Sequence, residues 1–566
     1  MIDFKVEVGK ILKNHVLDLQ ESEILSMIEI PPNTDMGDFA FPCFKLAKTF
    51  RKAPQLIAND IASAIKLDTH FEKAESVGGY VNFFIKKSTF VRETIESVFD
   101  KKQNYGSSDM GKGKNVIVEF SSPNIAKPFH IGHIRSTVIG NSINRIYKFL
   151  GFNTIAINHL GDYGTQFGKL IVAFKKWGDE EEIKKNPIQN LLKLYIKFHE
   201  EAEKDPSMEE EGRMWFKKLE EADAEALELW QWIRDVSLEE FNRVYNMLDI
   251  SFDSLAGESF YSDKMPRIIK MLEDKKLLKE SQGADIVDLE PHGFAPALIR
   301  KNDGSTLYIT RDIAAAIYRK ETYDFYKNIY VVASQQNLHF QQLIKIIELM
   351  EYDWAKDCIH VPFGLVRLEE GTIATRKGRV VFLEDVLNKA VEKTKEIIES
   401  KNPNLENLEQ IAKDVGVGAV VFQELSNNRI KDYTFCWDKV LNFEGETGPY
   451  VQYTYARANS VLNKANMVVD ANINPELLTD DITMEVIRQI QQFPGVIVNA
   501  QDKNEPSIIT RHIIDIAQAF NRFYHERPIL VEDEDLKKAR LAIVHITKEV
   551  IGTGLYLIGV KAPQKM

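Results

Sequence analysis

Cysteine is scarce: the 566-residue chain holds three, Cys43, Cys358 and Cys436. An odd count without metal-like spacing argues against a disulfide framework and suits reduced thiols that pack in a core. Long apolar runs are missing as well. Nothing approaches the roughly 18 consecutive apolar residues of a membrane span, and the start, MIDFKVEVGK, carries acidic residues and no apolar stretch of the signal-peptide kind. Neither insertion nor export is expected, and a cytoplasmic location is. Positive charge is in deficit, since 72 Lys and Arg face 84 Asp and Glu for a formal net charge of -12. That excludes a uniformly basic surface for nucleic acid, so any such partner must meet local basic faces. Internal repeats and low-complexity segments are absent. What remains, 44% hydrophobic and 28% charged residues, is a globular composition with length for about three or four domains.

Chemistry concentrates in VIVEFSSPNIAKPFHIGHIRSTVI, Val116 to Ile139. An apolar run to Phe120 predicts a strand, Pro123 and Pro128 predict a loop, and Ile134, Val138, Ile139, Ile143, Ile146, Tyr147 and Leu150 repeat at the spacing of one helix face, with Gly151 at its stop. A helix N-terminus offers unpaired amides and the positive end of the dipole to an anion. His130, Gly132 and His133 stand there, two imidazoles able to face a phosphate and a glycine that lets it approach the backbone.

Upstream, helix-like segments followed by GGYVNFFI (Gly78 to Ile85) predict a small α+β domain. In it Lys45, Lys48 and Lys52 are expected along one side of a helix, as a solvated face or a phosphate-backbone contact. Downstream, NTIAINHLGDYGTQFGKL (Asn153 to Leu170) predicts a strand, a glycine turn and a helix, hence a crossover and a parallel sheet with ligands at the carboxyl ends of its strands. Charged helical stretches from about Trp177 to Lys279 read as an insertion. The sheet pattern resumes at ADIVDL (Ala284 to Leu289) and ALIRKNDGSTLYI, with a turn at Asn302, Asp303 and Gly304; a helix is expected from near Thr310, and a buried strand runs through Gln335 and Gln336 into another helix. The basic, glycine-flanked loop Glu370 to Leu387 can close over a polyphosphate. Beyond about Lys395 helices dominate, and Pro449, Pro494, Pro506 and Pro528 are expected to divide them. Arg457, His512, Arg522, His525 and Arg527 lie among aromatics, a mixture suited both to stacking bases and to a core with solvated charges.

EFSSPNIAKPFHIGH resembles the first signature of the class I aminoacyl-tRNA synthetases, in the extended form of the arginyl-tRNA synthetases. NHLGDYGTQFG, LYITRD, ASQQNLHF, TRKGRVVFLEDVL, GETGPYVQY and the terminal VKAPQKM resemble segments of that family in the same order, and GDFAFPCFKLAK resembles its N-terminal domain. The resemblance implies an α/β fold class in three parts: an N-terminal α+β tRNA-binding domain (1–110), a Rossmann-type parallel-sheet catalytic domain (111–395, with a helical insertion at about 177–280), and an all-helical anticodon-binding bundle (396–566).

It also implies ATP-driven formation of arginyl-adenylate and transfer of arginine to its cognate tRNA, with Mg²⁺ accompanying ATP, no metal held by the protein alone, activation that waits for bound tRNA, and a monomer. Lys127, His130, His133 and Arg376 would be catalytic, and Lys127, His130, Gly132, His133, Thr375 and Arg376 would bind ATP. Glu119, Ser122, Asn124, His130, Tyr308, Asp312 and Gln336 would bind arginine, with the role of Gln335 beside Gln336 open, and Tyr450, Gln452, Tyr453, Arg457 and Arg527 would bind tRNA. The family's second signature, KMSKS, corresponds here to Thr372, Ile373, Ala374, Thr375 and Arg376, with threonine for its second lysine; Lys127 would supply the missing charge from the other side of the site. Two alternatives remain: an adenylating enzyme for another small molecule, which would not need the two flanking domains, and a non-catalytic RNA binder, which would not need Lys127, His130, His133 and Asp312.

Overall fold

The computed structural model describes residues 4–31, 33, 36–302, 308–368 and 381–566. They form two compact units, one of residues 1–105, 454–494 and 515–553, the other of 106–453, 495–514 and 554–566.

In the first unit β1 (Phe39–Pro42), β2 (Phe71–Val77) and β3 (Tyr80–Ile85) make an antiparallel sheet in the order β1-β3-β2, Phe39 opposite Phe83 and Val77 opposite Tyr80. The three lysines do not share one helix. Lys45 is in a 3-10 turn, Lys48 in a four-residue helix, and Lys52 beyond it pairs with Asp60 at 2.7 Å. Arg51 in the left-handed region (φ 49°) and Pro54 at a new helix start break the run.

Pro494 does not end a helix either, because Asp481–Lys503 continues through it. A proline there has no N–H for the carbonyl of Ile490, one turn back, and that carbonyl would be stranded. The buried hydroxyl of Tyr105 donates to it at 3.2 Å, while the Tyr105 ring stacks on Phe493.

In the second unit β4 (Asn115–Glu119), β5 (Asn153–Ile157), β9 (Lys327–Ala333) and β10 (Cys358–Phe363) form an all-parallel sheet in the order β10-β9-β4-β5. β7 (Ala284–Val287) and β8 (Ala297–Arg300), expected in that sheet, do not join it; with β6 (Leu278–Ser281), at the end of the expected helical insertion, they form a separate antiparallel sheet. A strand of a parallel sheet must be buried on both faces, and Lys279, Glu280 and Ser281 are exposed. Gln282 and Gly283, both at positive φ, close the β6–β7 hairpin. Of the turn expected at Asn302, Asp303 and Gly304, the last two lie outside the described residues. β11 (Val366–Leu368) and β12 (Tyr433–Phe435) form a parallel pair, so the C-terminal region contains one strand among its helices.

The helices α1 (Ile134–Phe149), α2 (Tyr308–Tyr323) and α3 (Asn337–Leu349) flank the parallel sheet. On one face Ile117, Ile155 and Ile157 pack with Ile313, Ile317, Leu343 and Ile347 in a buried cluster. On α1, a Cβ at Gly140 would stand 2.1 Å from the Phe120 Cβ, so only glycine permits this helix-to-strand distance. Between β4 and β9 the chain changes direction of winding, and the carboxyl ends of these strands bound a crevice suited to a ligand. Among the described residues no helix is long and apolar enough to cross a membrane.

The Tyr105–Pro494 arrangement gives a prediction. Tyr105→Phe should lower the thermal midpoint by removing a buried hydrogen bond, on the order of 1–2 kcal/mol. In a Pro494→Ala background, where residue 494 can donate to Ile490 itself, the same change should cost measurably less. Equal losses in both backgrounds would refute the compensation.

Candidate active site

The loop that leaves β4 is held open by backbone in an unfavourable region: Ser121, Ser122 and Ala126 have φ of 71°, 49° and 57°. Gly161, from the loop after β5, donates to Pro123 O at 3.0 Å and accepts from Ile125 N at 3.1 Å. A Cβ on Gly161 would lie 2.5 Å from Asn124 Oδ1. Asn124 and Lys127 are exposed on this loop. Ser122 N donates to Asn158 Oδ1 at 3.1 Å, while the buried Ser122 Oγ has no hydrogen-bond partner among the described residues.

Past Pro128 the chain enters a 3-10 turn, Ile131–His133, that leads into α1. Its flank is fixed by Ile131 N donating to Val381 O and Leu383 N to Phe129 O. His130 N donates to His133 Nδ1 at 3.1 Å, and Gly132 N donates to His130 Nδ1 at 3.0 Å. Because a backbone N–H can only donate, each Nδ1 is an acceptor, and each neutral ring carries its proton on Nε2. Burial keeps both rings uncharged: it lowers the pKa of His130 and, with neighbouring His130 and Lys127 adding to it, brings His133 down to about 3. The pair, with ring centroids 4.0 Å apart, thus offers two neutral Nε2–H donors at a helix entrance. Two residues on, buried Arg135 contacts Glu424 at 2.6 Å and donates to Lys431 O at 2.7 Å, pinning the first turn of α1. Burial pushes the Glu424 carboxyl up to about 6 against the pull of Arg135 and the Tyr433 hydroxyl.

Across the crevice a second cluster forms. Glu119 ends β4, opposite Tyr330 of β9, and its carboxylate lies 2.6 Å from Nη1 of the fully buried Arg319 of α2. Arg319 Nη2 is 3.4 Å from His159 Nδ1, and His159 Nε2 is 3.9 Å from Asp312 Oδ1. Asp312 Oδ2 accepts from His339 Nε2 at 2.6 Å. Beside it Arg311 pairs with Glu258 at 2.8 Å and lies over the rings of Tyr163 and Tyr308. Burial raises Glu258 to about 7, opposed by Arg311 and reinforced by Asp312 and Asp162.

The sequence-derived candidates therefore separate. Glu119 and Asp312 come together through Arg319 and His159, although one oxygen of Glu119 is already taken by the protein's own guanidinium. Tyr308 is not in a strand core; it opens α2, two residues earlier than expected, and is 63% exposed. Gln335 and Gln336 are exposed in the 3-10 turn after β9. Thr372, Ile373, Ala374, Thr375 and Arg376 lie outside the described residues. His159, Glu258, Arg311, Arg319 and His339 had no role assigned from sequence; His159 and His339 sit inside the motifs NHLGD and NLHF, and Arg319 breaks the apolar face of α2, which were the available signals.

For the RNA candidates, Tyr450 is half-buried and Tyr453 is 40% exposed. Gln452 must be corrected: it is fully buried, and its Nε2 donates to Asp414 O at 3.1 Å and Lys561 O at 2.8 Å, anchoring the C-terminal tail rather than facing a ligand. In the other unit Arg457 bonds Asn521 and lies 5.1 Å over the exposed Tyr524, and Arg527 pairs with Asp480 at 3.0 Å.

Family models match the whole architecture: "tRNA synthetases class I (R), catalytic domain" over residues 94–437, "DALR anticodon binding domain" over 451–566, and "Arginyl tRNA synthetase N terminal domain" over 4–85. Among curated relatives, the arginine–tRNA ligase of Clostridioides difficile is 64% identical and that of Halothermothrix orenii 62%, each over 100% of both chains. Among solved structures, arginyl-tRNA synthetase from Plasmodium falciparum aligns with TM-score 0.80 at 26% identity, over 100% of both chains. The Thermus thermophilus arginyl-tRNA synthetase shares the fold, with TM-score 0.82 at 24% identity, covering 99% of this chain and 100% of that one. The chain belongs to the arginyl-tRNA synthetases, a family of class I aminoacyl-tRNA synthetases.

Proposed function

We propose that this chain activates L-arginine with ATP in the crevice between β4 and β9 and transfers it to its cognate tRNA. One observation carries the reading: the crevice at the end of β4 has two Nε2–H imidazoles, donors suited to phosphate, on one side and the Glu119–Asp312 carboxylate cluster on the other. An arginine carboxylate oxygen attacks the α-phosphorus of ATP, the bond to the bridging oxygen breaks, and pyrophosphate leaves with its electron pair. A hydroxyl of the terminal ribose then attacks the carbonyl carbon of the adenylate and expels AMP. Neither step needs a covalent enzyme intermediate, so positioning and charge stabilisation do the work.

In this reading His130 and His133 donate to phosphate oxygens, Gly132 lets them approach the backbone, and exposed Lys127 supplies positive charge. Thr375 and Arg376 complete the phosphate side. Asp312, with Glu119 through its second oxygen, receives the guanidinium; Tyr308 closes over it; Ser122, Asn124, His130 and Gln336 hold the α-amino and carboxylate groups. Mg²⁺ would arrive bound to ATP and add positive charge at its phosphates. Tyr450, Tyr453, Arg457 and Arg527 would meet tRNA, with the Arg457–Tyr524 stack a suitable platform for an unpaired base. The division at 1–110, 111–395 and 396–566, action as a monomer and a cytoplasmic location belong to the same proposal.

Purified protein should charge tRNA with radiolabelled arginine and with no other amino acid; failure with tRNA that a known arginyl enzyme charges would reject the reading. Lys127→Ala should lower kcat/KM by about 2–4 kcal/mol in transition-state free energy, whereas an unchanged value would make Lys127 an ordinary surface lysine. Nitrogen-15 spectra of histidine-labelled protein should show His133 neutral and Nε2-protonated at about pH 6, and His130 Nε2-protonated in its neutral form at about pH 8. Doubly protonated rings under these conditions would contradict the donor assignment.

A further inference from the structure

Asp312 is a half-buried carboxylate, and two requirements follow if it is to receive a cation: it must stay ionised, and one oxygen must keep a fixed direction. Both lead to α3. Its first turn carries His339, three residues beyond Gln336, and the His339 Nε2–H donates to Asp312 Oδ2 at 2.6 Å. The imidazole is itself held in place. It meets the Phe340 ring edge-on at 5.4 Å, Phe340 stacks on His360 at 4.4 Å, and His360 Nε2 donates to Val332 O at 2.9 Å. On the other side of the carboxylate, among the described residues, Oδ1 is paired with His159 Nε2 at 3.9 Å, beyond hydrogen-bond range. The groups around Asp312 are His339 from α3, His159 from the loop after β5, Arg319 from its own helix, Glu119 from β4, Tyr330 from β9, and Glu258 with its partner Arg311.

We infer that His339 is a positioning residue for guanidinium recognition: it fixes Asp312 through Oδ2 and leaves Oδ1 as the acceptor that the arginine side chain meets. This rests on the proposed role of Asp312 in the arginine pocket. Burial pushes the Asp312 carboxyl up, but the His339 hydrogen bond with the charges of His339, His159 and Arg319 outweighs it, so Asp312 stays below the ordinary carboxylate range. A histidine that served only to pack α3 would affect both substrates alike.

The test is steady-state aminoacylation by the full-length enzyme with His339→Ala, His339→Gln and Asp312→Asn, each measured for the KM of arginine, the KM of ATP and kcat between about pH 6 and 8.5. His339→Ala should raise the arginine KM at least tenfold while the ATP KM stays within twofold. Glutamine can present an N–H close to the position of Nε2, so His339→Gln should recover most of the arginine KM, and it keeps the question open if the alanine variant is unstable. Asp312→Asn should abolish saturation with arginine. If it does, and both His339 variants leave the arginine KM unchanged or raise the ATP KM equally, the positioning role is wrong while the pocket stands. If Asp312→Asn saturates normally with arginine, the pocket assignment fails and the role of His339 falls with it.

Discussion

The contact on which the site's geometry depends is the buried ion pair between Glu119, at the end of the central strand β4, and Arg319 of α2. A carboxylate in that position, nearly without water, needs a partner, and removing one member of such a pair typically costs about 3–5 kcal/mol because the other charge is stranded. Arg319 reaches Glu119 through a helix otherwise packed by Ile313, Ala314, Ala315, Ala316 and Ile317. Its second nitrogen faces His159, and His159 faces Asp312. The pair therefore sets which carboxylate oxygens are spent internally and which remain for a ligand. It also neutralises Glu119, so that two bare carboxylates do not stand side by side.

The phosphate side uses the opposite device. His130 and His133 are neutral, and their Nδ1 atoms are occupied by backbone amides, so the only proton each can offer is on Nε2. Neutral, preoriented donors stabilise charge that develops on phosphate without requiring reorganisation at the moment of reaction. Net positive charge has to come from elsewhere, which gives Lys127 its place in the account. In the proposed reading, the strained loop between β4 and α1 brings the two devices within reach of one substrate.

The strand, loop and helix around His130 were legible because the apolar period changes from a short run to 3.6 residues, and Gly151, at φ 81°, ends the helix where the pattern does. The parallel sheet followed from the crossover. Other features were set by tertiary context. β7 and β8 are short and partly apolar, but no local signal says which sheet accepts them. Pro494 reads as a helix stop until Tyr105, distant in sequence, satisfies the carbonyl it strands. Gln452 lies in a motif that resembles a tRNA-facing segment, yet burial turns it to the backbone of the chain's own tail. The cluster of Glu119, Arg319, His159, Asp312 and His339 joins four separate segments, so its members were visible one at a time and their mutual hydrogen bonds were not.

The central claim is that one crevice holds arginine at Asp312 and phosphate at the two histidines. The most direct measurement is a crystal structure with a non-hydrolysable arginyl-adenylate analogue bound. The account predicts the guanidinium within hydrogen-bond distance of Asp312 Oδ1, with Arg319 still on Glu119, and the phosphate-mimicking group within reach of His130 and His133 Nε2. A guanidinium placed away from Asp312, or a histidine pair that turns Nδ1 to the ligand, would contradict it.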